Sequence, residues 1–273
     1  MAATAAFAGF LSRSPGPDRE GDAGGFAFHE HLVAKGFEST ADAWGVTPRS
    51  PDARHPVIVF LHGSGGSLRG DGRVLRRIAD SGFAGVGMEY SQRNSAEFHR
   101  QFAELLTWIR ERPWADQRRI VWLGFSLGAQ RMLQHLVRHP ESRPALFIRV
   151  AGGMVPELRD VAPGNVAASV REQTSDVGQS ETGGIEDAAA RSRSLLQLPV
   201  CLVHGENDRL FKLDDVREVK SRLETMGATV RLDVLPRRPH AFKEDRAMVI
   251  KLLIDRVGRH FESLTADGAE GRE

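Results

Sequence analysis

The sequence predicts an α/β protein with a mostly parallel central sheet flanked by helices on both faces. Three observations carry that prediction. Short apolar runs alternate with helical patterns, as in parallel strands joined by crossover helices. Most of these runs are continuous rather than alternating, as strands covered on both faces require. One run, at 120–123, leads through a glycine-flanked serine directly into a helical pattern.

The expected strands are 57–61, 83–88, 120–123, 145–150, 200–203 and 229–235. The expected helices are 74–81, 97–111, 127–139 and 213–226, with 245–263 closing the domain. In 97–111 the apolar residues Phe98, Phe102, Leu105, Leu106 and Ile109 recur at helical spacing and read as a core-facing stripe. Ahead of the first parallel strand, 26–34 and 42–46 can form an antiparallel hairpin on the sheet edge. Residues 1–25 contain a stretch rich in Pro, Gly and charge, and 267–273 have a similar composition, so both ends read as disordered tails. Between them, 26–266 reads as one domain. The segment at about 155–196 lacks a strand pattern and is rich in Ser, Gly, Asp and Glu. It reads as a small polar cap or lid over the carboxyl edge of the sheet, a floppy insertion being the alternative.

Composition narrows the function. Of 273 residues, 41% are hydrophobic and 27% charged, enough to bury a real core. Lys and Arg number 37 against 36 Asp and Glu, so no global field favours nucleic acid or an anionic membrane, and neither is an expected partner. No apolar stretch approaches the ~20 residues of a membrane span. Residues 1–11 lack the positive charge that precedes a signal peptide's apolar region, so a cytoplasmic protein is expected. The single cysteine, Cys201, lies in an apolar run and reads as a buried structural thiol rather than a reactive one.

The chemistry centres on Gly124-Phe125-Ser126-Leu127-Gly128. Between a strand and a helix, such a turn is so tight that its serine is strained, and glycines two positions either side avoid collision with strand or helix. The hydroxyl is exposed at a helix N-terminus, whose positive end favours developing negative charge. Ser126 is therefore the candidate nucleophile. Upstream, the strand at 57–61 runs into His62-Gly63-Ser64-Gly65-Gly66. The backbone N–H groups of Ser64 and Leu127 are the candidate oxyanion hole, a feature worth roughly 3 to 4 kcal/mol per donor. A phosphate-binding loop is the competing reading of these glycines, but no Gly-Lys-Ser/Thr follows.

A serine hydroxyl needs a base, and the chain offers 10 histidines. Where a nucleophile sits on such an elbow the partners follow in the order Ser, acid, His, which favours His240 in the loop after the last strand. His260 falls deep in the final helix. The acid belongs in the loop after the preceding strand, where Asp208 is the first candidate and Glu206 the alternative; Asp214 and Asp215 read as first-turn residues of the next helix. His62 and His204 each precede a glycine at a strand end and read as structural. His29 and His31 lack a third ligand, so no metal is expected.

With HGSGG at 62–66, GFSLG at 124–128, GENDRL at 205–210 and PHAF at 239–242, the sequence resembles the α/β-hydrolase superfamily from about residue 41 to 264. Within it the chain looks most like the dienelactone-hydrolase and esterase/depolymerase group, where a phrase such as Trp44-Gly45-Val46-Thr47-Pro48 precedes the His-Gly loop. The resemblance implies an α/β-hydrolase fold, no cofactor, and a nucleophile, acid and base at Ser126, Asp208 and His240. Dienelactone hydrolases proper typically carry cysteine where this chain has Ser126, so their particular reaction is not implied. Relatives with an aspartate nucleophile are dehalogenases and epoxide hydrolases, and the propeller of the prolyl-oligopeptidase relatives would not fit ahead of 57. Hydrolysis of small to medium soluble carboxylic esters is the leading expectation, with a small-molecule ester as partner. The alternatives are an acyltransferase or thioesterase using the same acyl-serine, a peptidase, and a non-catalytic ligand-binding protein. Arg237 and Arg238 beside the base, with Arg209 and Lys212 beside the acid, are either solvated surface charges or a positive rim favouring carboxylate-bearing substrates.

Overall fold

The computed structural model describes residues 25–33, 40–48, 53–159, 195–240, 242 and 246–270. Strands β1 (Gly25–Val33) and β2 (Thr40–Pro48) form an antiparallel hairpin, with Phe26 opposite Thr47 and His29 opposite Trp44. The remaining strands are β3 (His55–Leu61), β4 (Ala84–Met88), β5 (Ala115–Phe125), β6 (Leu146–Val150), β7 (Pro199–Gly205) and β8 (Thr229–Leu235). Together they make one 8-stranded sheet in the order β1-β2-β4-β3-β5-β6-β7-β8. Only the hairpin is antiparallel to its neighbours; β4 through β8 pair in parallel.

That order contains a switch point. The chain passes from β3 to β4 on one side and then crosses to β5 on the other side of β3. The loops leaving β3 and β5 therefore diverge, and the crevice between them at the carboxyl edge is where open α/β sheets bind ligands.

The helices are α1 (Leu68–Asp80), α2 (Ser95–Arg110), α3 (Leu127–Arg138), the short α4 (Pro156–Arg159), α5 (Leu213–Thr225) and α6 (Arg246–Glu270). Alternate residues of β3 face opposite cores, as the period of two requires. Val57, Val59 and Leu61 join Phe98, Phe102, Leu105 and Leu133 of α2 and α3, with α5 completing that layer. Ile58 and Phe60 join Val74 and Ile78 of α1 and Leu253 and Val257 of α6.

Several elements begin earlier than the sequence suggests. α1 starts at Leu68, where the N–H of Asp71 bonds the carbonyl of Ser67 at 3.1 Å. Gly70 and Gly72 had masked this first turn, because glycine is a poor helix former. α2 is initiated by Asn94, whose side chain accepts the Glu97 N–H at 3.1 Å. β5 extends back to Ala115 through a polar stretch that apolar patterning cannot detect, with an irregularity opposite His55–Val57. α6 continues through Glu270, so Asp267–Glu270, expected in the C-terminal tail, are helical. Ala and Glu are strong enough helix formers to carry the helix through Gly268. Residues 1–24 of the N-terminal tail, 160–194 of the expected cap and 271–273 lie outside the described residues. Of the expected cap, 155–159 and 195–196 are described, and Val155, Leu158 of α4 and Leu195 pack into the core. Among the described residues no helix is long and apolar enough to cross a membrane.

The α2–α3 interface has a pH-dependent consequence. His135 is fully buried against Phe102 and Trp122, and neither ring nitrogen has a partner among the described residues. Burial, reinforced by His139 and His99, holds its pKa down at about 3; burial and Arg138 hold that of His99 at about 4. The unfolded chain binds protons on both imidazoles near pH 6.5 and the folded chain does not. The protonation-linked cost of burying them neutral is therefore absent above that pH, and stability falls as pH drops toward 3–4. At pH 5 the loss from His135 alone is about 2 kcal/mol. Thermal melts from pH 7.5 to 5 should show a smaller fall in Tm for His135→Leu than for the wild type; equal falls would refute this role.

Candidate active site

Buried β5 residues 120–124 deliver Ser126 to the carboxyl edge of the sheet, where it precedes α3 with φ 50° and ψ −114°. For a residue with a side chain this is strained backbone, held here by the Ser126 N–H bond to the Val150 carbonyl at 2.8 Å. The flanking glycines are required by space. A Cβ on Gly124 would lie 2.5 Å from the Ala129 Cα, and one on Gly128 would lie 2.6 Å from the carbonyl oxygens of Leu61 and His62.

His240 stands in the turn after β8. Its Nε2 is 2.9 Å from Ser126 Oγ and its Nδ1 is 2.7 Å from Asp208 Oδ2. An ionised carboxylate only accepts, so the imidazole proton belongs on Nδ1 and Nε2 accepts from the serine hydroxyl. The other oxygen of Asp208 accepts from the backbone N–H groups of Leu210 at 2.8 Å and Phe211 at 3.0 Å. The Asp208 carboxylate is completely buried beneath the imidazole.

The acid and base loops are knitted together by backbone bonds. Glu206 N–H donates to the Leu235 carbonyl and Asn207 N–H to that of Arg238, each at 3.0 Å. Gly205 makes this approach possible, since a Cβ there would lie 2.3 Å from the Arg238 oxygen. Glu206, the alternative acid, instead accepts the Arg237 N–H at 2.8 Å in an exposed turn. Asp214 and Asp215 occupy the first turn of α5, away from His240.

The glycine-rich loop after β3 lies against the serine. A Cβ on Gly63 would be 3.2 Å from Ser126 Cβ, and Gly66 N–H closes the turn on the Gly63 carbonyl at 3.0 Å. Ser64 sits within this turn. Leu127, as the first residue of α3, has an N–H with no carbonyl four residues back in its own helix.

Sequence reasoning missed what braces that loop, the segment after β4. Tyr90 donates its hydroxyl to the His62 carbonyl at 2.6 Å and stacks on the His62 ring. His62 Nε2 lies 3.3 Å from Glu89, and Gln92 accepts from Gly65 N–H at 3.0 Å. Arg131 of α3 in turn donates to the Gln92 carbonyl at 2.8 Å. Burial, the largest influence, holds the Tyr90 phenol above its ordinary pKa, which keeps it a donor at every ordinary pH.

Phe211 was also missed. Its ring meets His240 edge-on at 5.4 Å, and a Cβ on Gly153 would strike that ring at 2.4 Å. His204, on the buried side, contacts the Phe211 carbonyl at 2.9 Å through Nε2, while Arg149 donates to the Gly153 carbonyl at 2.8 Å. Complete burial lowers the pKa of Arg149 to about 9, and burial also lowers that of His204. His62 and His204 thus bond turn backbone, and His260 lies in α6.

Cys201 is buried in β7 with its thiol pKa raised by burial, the opposite of an activated nucleophile. Among the described residues no group of three His, Cys, Asp or Glu could hold a metal ion.

A mostly parallel, doubly covered sheet with a strained serine after its fifth strand defines the α/β-hydrolase fold, and the solved structures agree. A candidate dienelactone hydrolase from Klebsiella pneumoniae superposes with a TM-score of 0.56 at 17% identity, over 81% of this chain and 90% of that one. A thermostable esterase from Pseudomonas putida gives 0.62 at 18% identity, over 88% and 83%. An acylaminoacyl peptidase from Pyrococcus horikoshii gives 0.59 at 16% identity over 85% of this chain, which spans only 41% of that protein. No family model and no curated protein matches the chain.

Proposed function

We propose that this protein is a serine hydrolase that cleaves carboxylic esters of small to medium soluble substrates through an acyl-serine intermediate. The observation that carries the reading is the unbroken relay from Asp208 through His240 to Ser126, at 2.7 and 2.9 Å, ending on a strained elbow. Similarity to an esterase and to a candidate dienelactone hydrolase supports the same reading at the level of fold.

Ser126 Oγ attacks the ester carbonyl as its proton passes to His240 Nε2. Asp208 stabilises the imidazolium and keeps Nδ1 protonated throughout. The N–H groups of Ser64 and Leu127 hold the tetrahedral oxyanion, helped by the positive N-terminus of α3. His240 then protonates the departing alcohol, and in the second half-reaction it takes a proton from the water that attacks the acyl-serine. The polar composition of 155–196 argues against action at an oil surface and for soluble esters.

The wild type should react with a fluorophosphonate probe and hydrolyse p-nitrophenyl acetate. Ser126→Ala should do neither above background. A Ser126→Ala protein that retains the wild-type rate would overturn the assignment.

A further inference from the structure

A cavity lies at the opposite edge of the sheet from Ser126. Its volume is about 420 Å³, within the range of pockets that enclose small metabolites. Gln117 and Arg118 of β5, Ala145 just before β6 and Pro199 at the start of β7 place it under the amino ends of the parallel strands. The eight residues from Arg118 to Ser126 along extended backbone separate it from the serine by about 25 Å.

Its chemistry is two-sided. Leu106, Ile120, Trp122 and Leu198 supply apolar wall, and Arg110, Arg118 and Arg143 stand around it. No Asp or Glu lines the cavity; Asp116 acts on Arg118 through its charge but pairs directly with Arg119 at 2.7 Å. Arg143 spends one N–H on the Leu196 carbonyl at 3.1 Å, which anchors its guanidinium at the wall. Trp122 lies wholly buried in the wall, packed against Phe102 and Phe147.

Three cations around a partly apolar hollow whose described lining holds no carboxylate raise the local potential for an anion. We propose that this cavity binds an amphiphilic organic anion, a carboxylate or phosphate on a compact apolar body. The guanidinium groups take the anionic head, and the walls take the body. Arginine suits this task because its planar fork matches carboxylate and phosphate oxygens. This site is independent of the reaction assigned to Ser126.

The test is isothermal titration of the full chain with 2-naphthoate, phenyl phosphate and inorganic phosphate. The two aromatic anions should bind, with inorganic phosphate at least tenfold weaker. Arg118 is exposed, so Arg118→Glu should fold normally and weaken the aromatic anions tenfold or more. Arg118→Glu should not alter p-nitrophenyl acetate hydrolysis by the ligand-free protein. Absence of binding to the wild type at millimolar concentration would overturn the proposal. So would affinity unchanged in Arg118→Glu, or inorganic phosphate binding as tightly as phenyl phosphate.

Discussion

Replacing Asp208 by asparagine is expected to lower kcat for p-nitrophenyl acetate roughly 10⁴-fold, the scale of loss that the wrong imidazole tautomer causes in serine-protease relays. The direction follows from what surrounds the carboxylate. Two backbone N–H groups, of Leu210 and Phe211, point at Oδ1, so an asparagine must keep its carbonyl oxygen there. Its NH₂ is then forced toward His240 Nδ1, where Asp208 Oδ2 now sits at 2.7 Å. Facing a donor, Nδ1 gives up its proton and Nε2 carries it, leaving no lone pair to accept the proton of Ser126. Fluorophosphonate labelling should slow in parallel while circular dichroism stays unchanged, because both contacts to backbone N–H groups survive. A loss smaller than tenfold would show that Asp208 is not the acid of the relay.

The same residues explain how much could be read in advance. The candidates Ser126, His240 and Asp208 were legible because the chemistry restricts residue type, a strained turn demands glycine on either side, and the α/β-hydrolase fold that the sequence resembles sets the order in which the partners leave successive strand ends. The strands were legible for another reason. Burial on both faces leaves continuous apolar runs such as Val57, Ile58, Val59, Phe60 and Leu61, all at or near zero exposure. What escaped is what depends on long-range contact. Tyr90 and Gln92 reach back about a full strand–helix unit to brace the loop at 62–66, and nothing at those positions marks them in isolation. Phe211 became visible only once Gly153 and His240 were placed on either side of its ring. Element ends escaped where polar or glycine residues carry regular structure, as at 68–73 and 115–119, because their helical or strand state is set by neighbours rather than by propensity.

Gly128→Ala should have the largest effect on the fold of any substitution this small. The added methyl would sit 2.6 Å from two backbone oxygens, those of Leu61 and His62, and neither can retreat. Leu61 is fixed in the ladder opposite Gly124, and the His62 carbonyl accepts the Tyr90 hydroxyl at 2.6 Å. The strain can be relieved only by pushing the start of α3 away from β3, which carries Ser126 and Leu127 with it. Overpacking typically costs about 1–3 kcal/mol, and a clash with backbone belongs at the upper end or above. For a chain of this size about 3 kcal/mol lowers Tm by roughly 6–12 °C. The same chemical change at Gly72 sets the scale. Gly72 lies within α1, and a Cβ there would meet nothing within 4 Å. Gly72→Ala should therefore stabilise by about 0.5–1 kcal/mol through helix propensity alone. Because the two variants differ only in what surrounds one methyl, their melts should move in opposite directions, and only Gly128→Ala should lose hydrolysis. A Gly128→Ala protein with wild-type Tm and activity would mean that α3 is not seated against the end of β3 as described, and with it would go the account of how Ser126 is held.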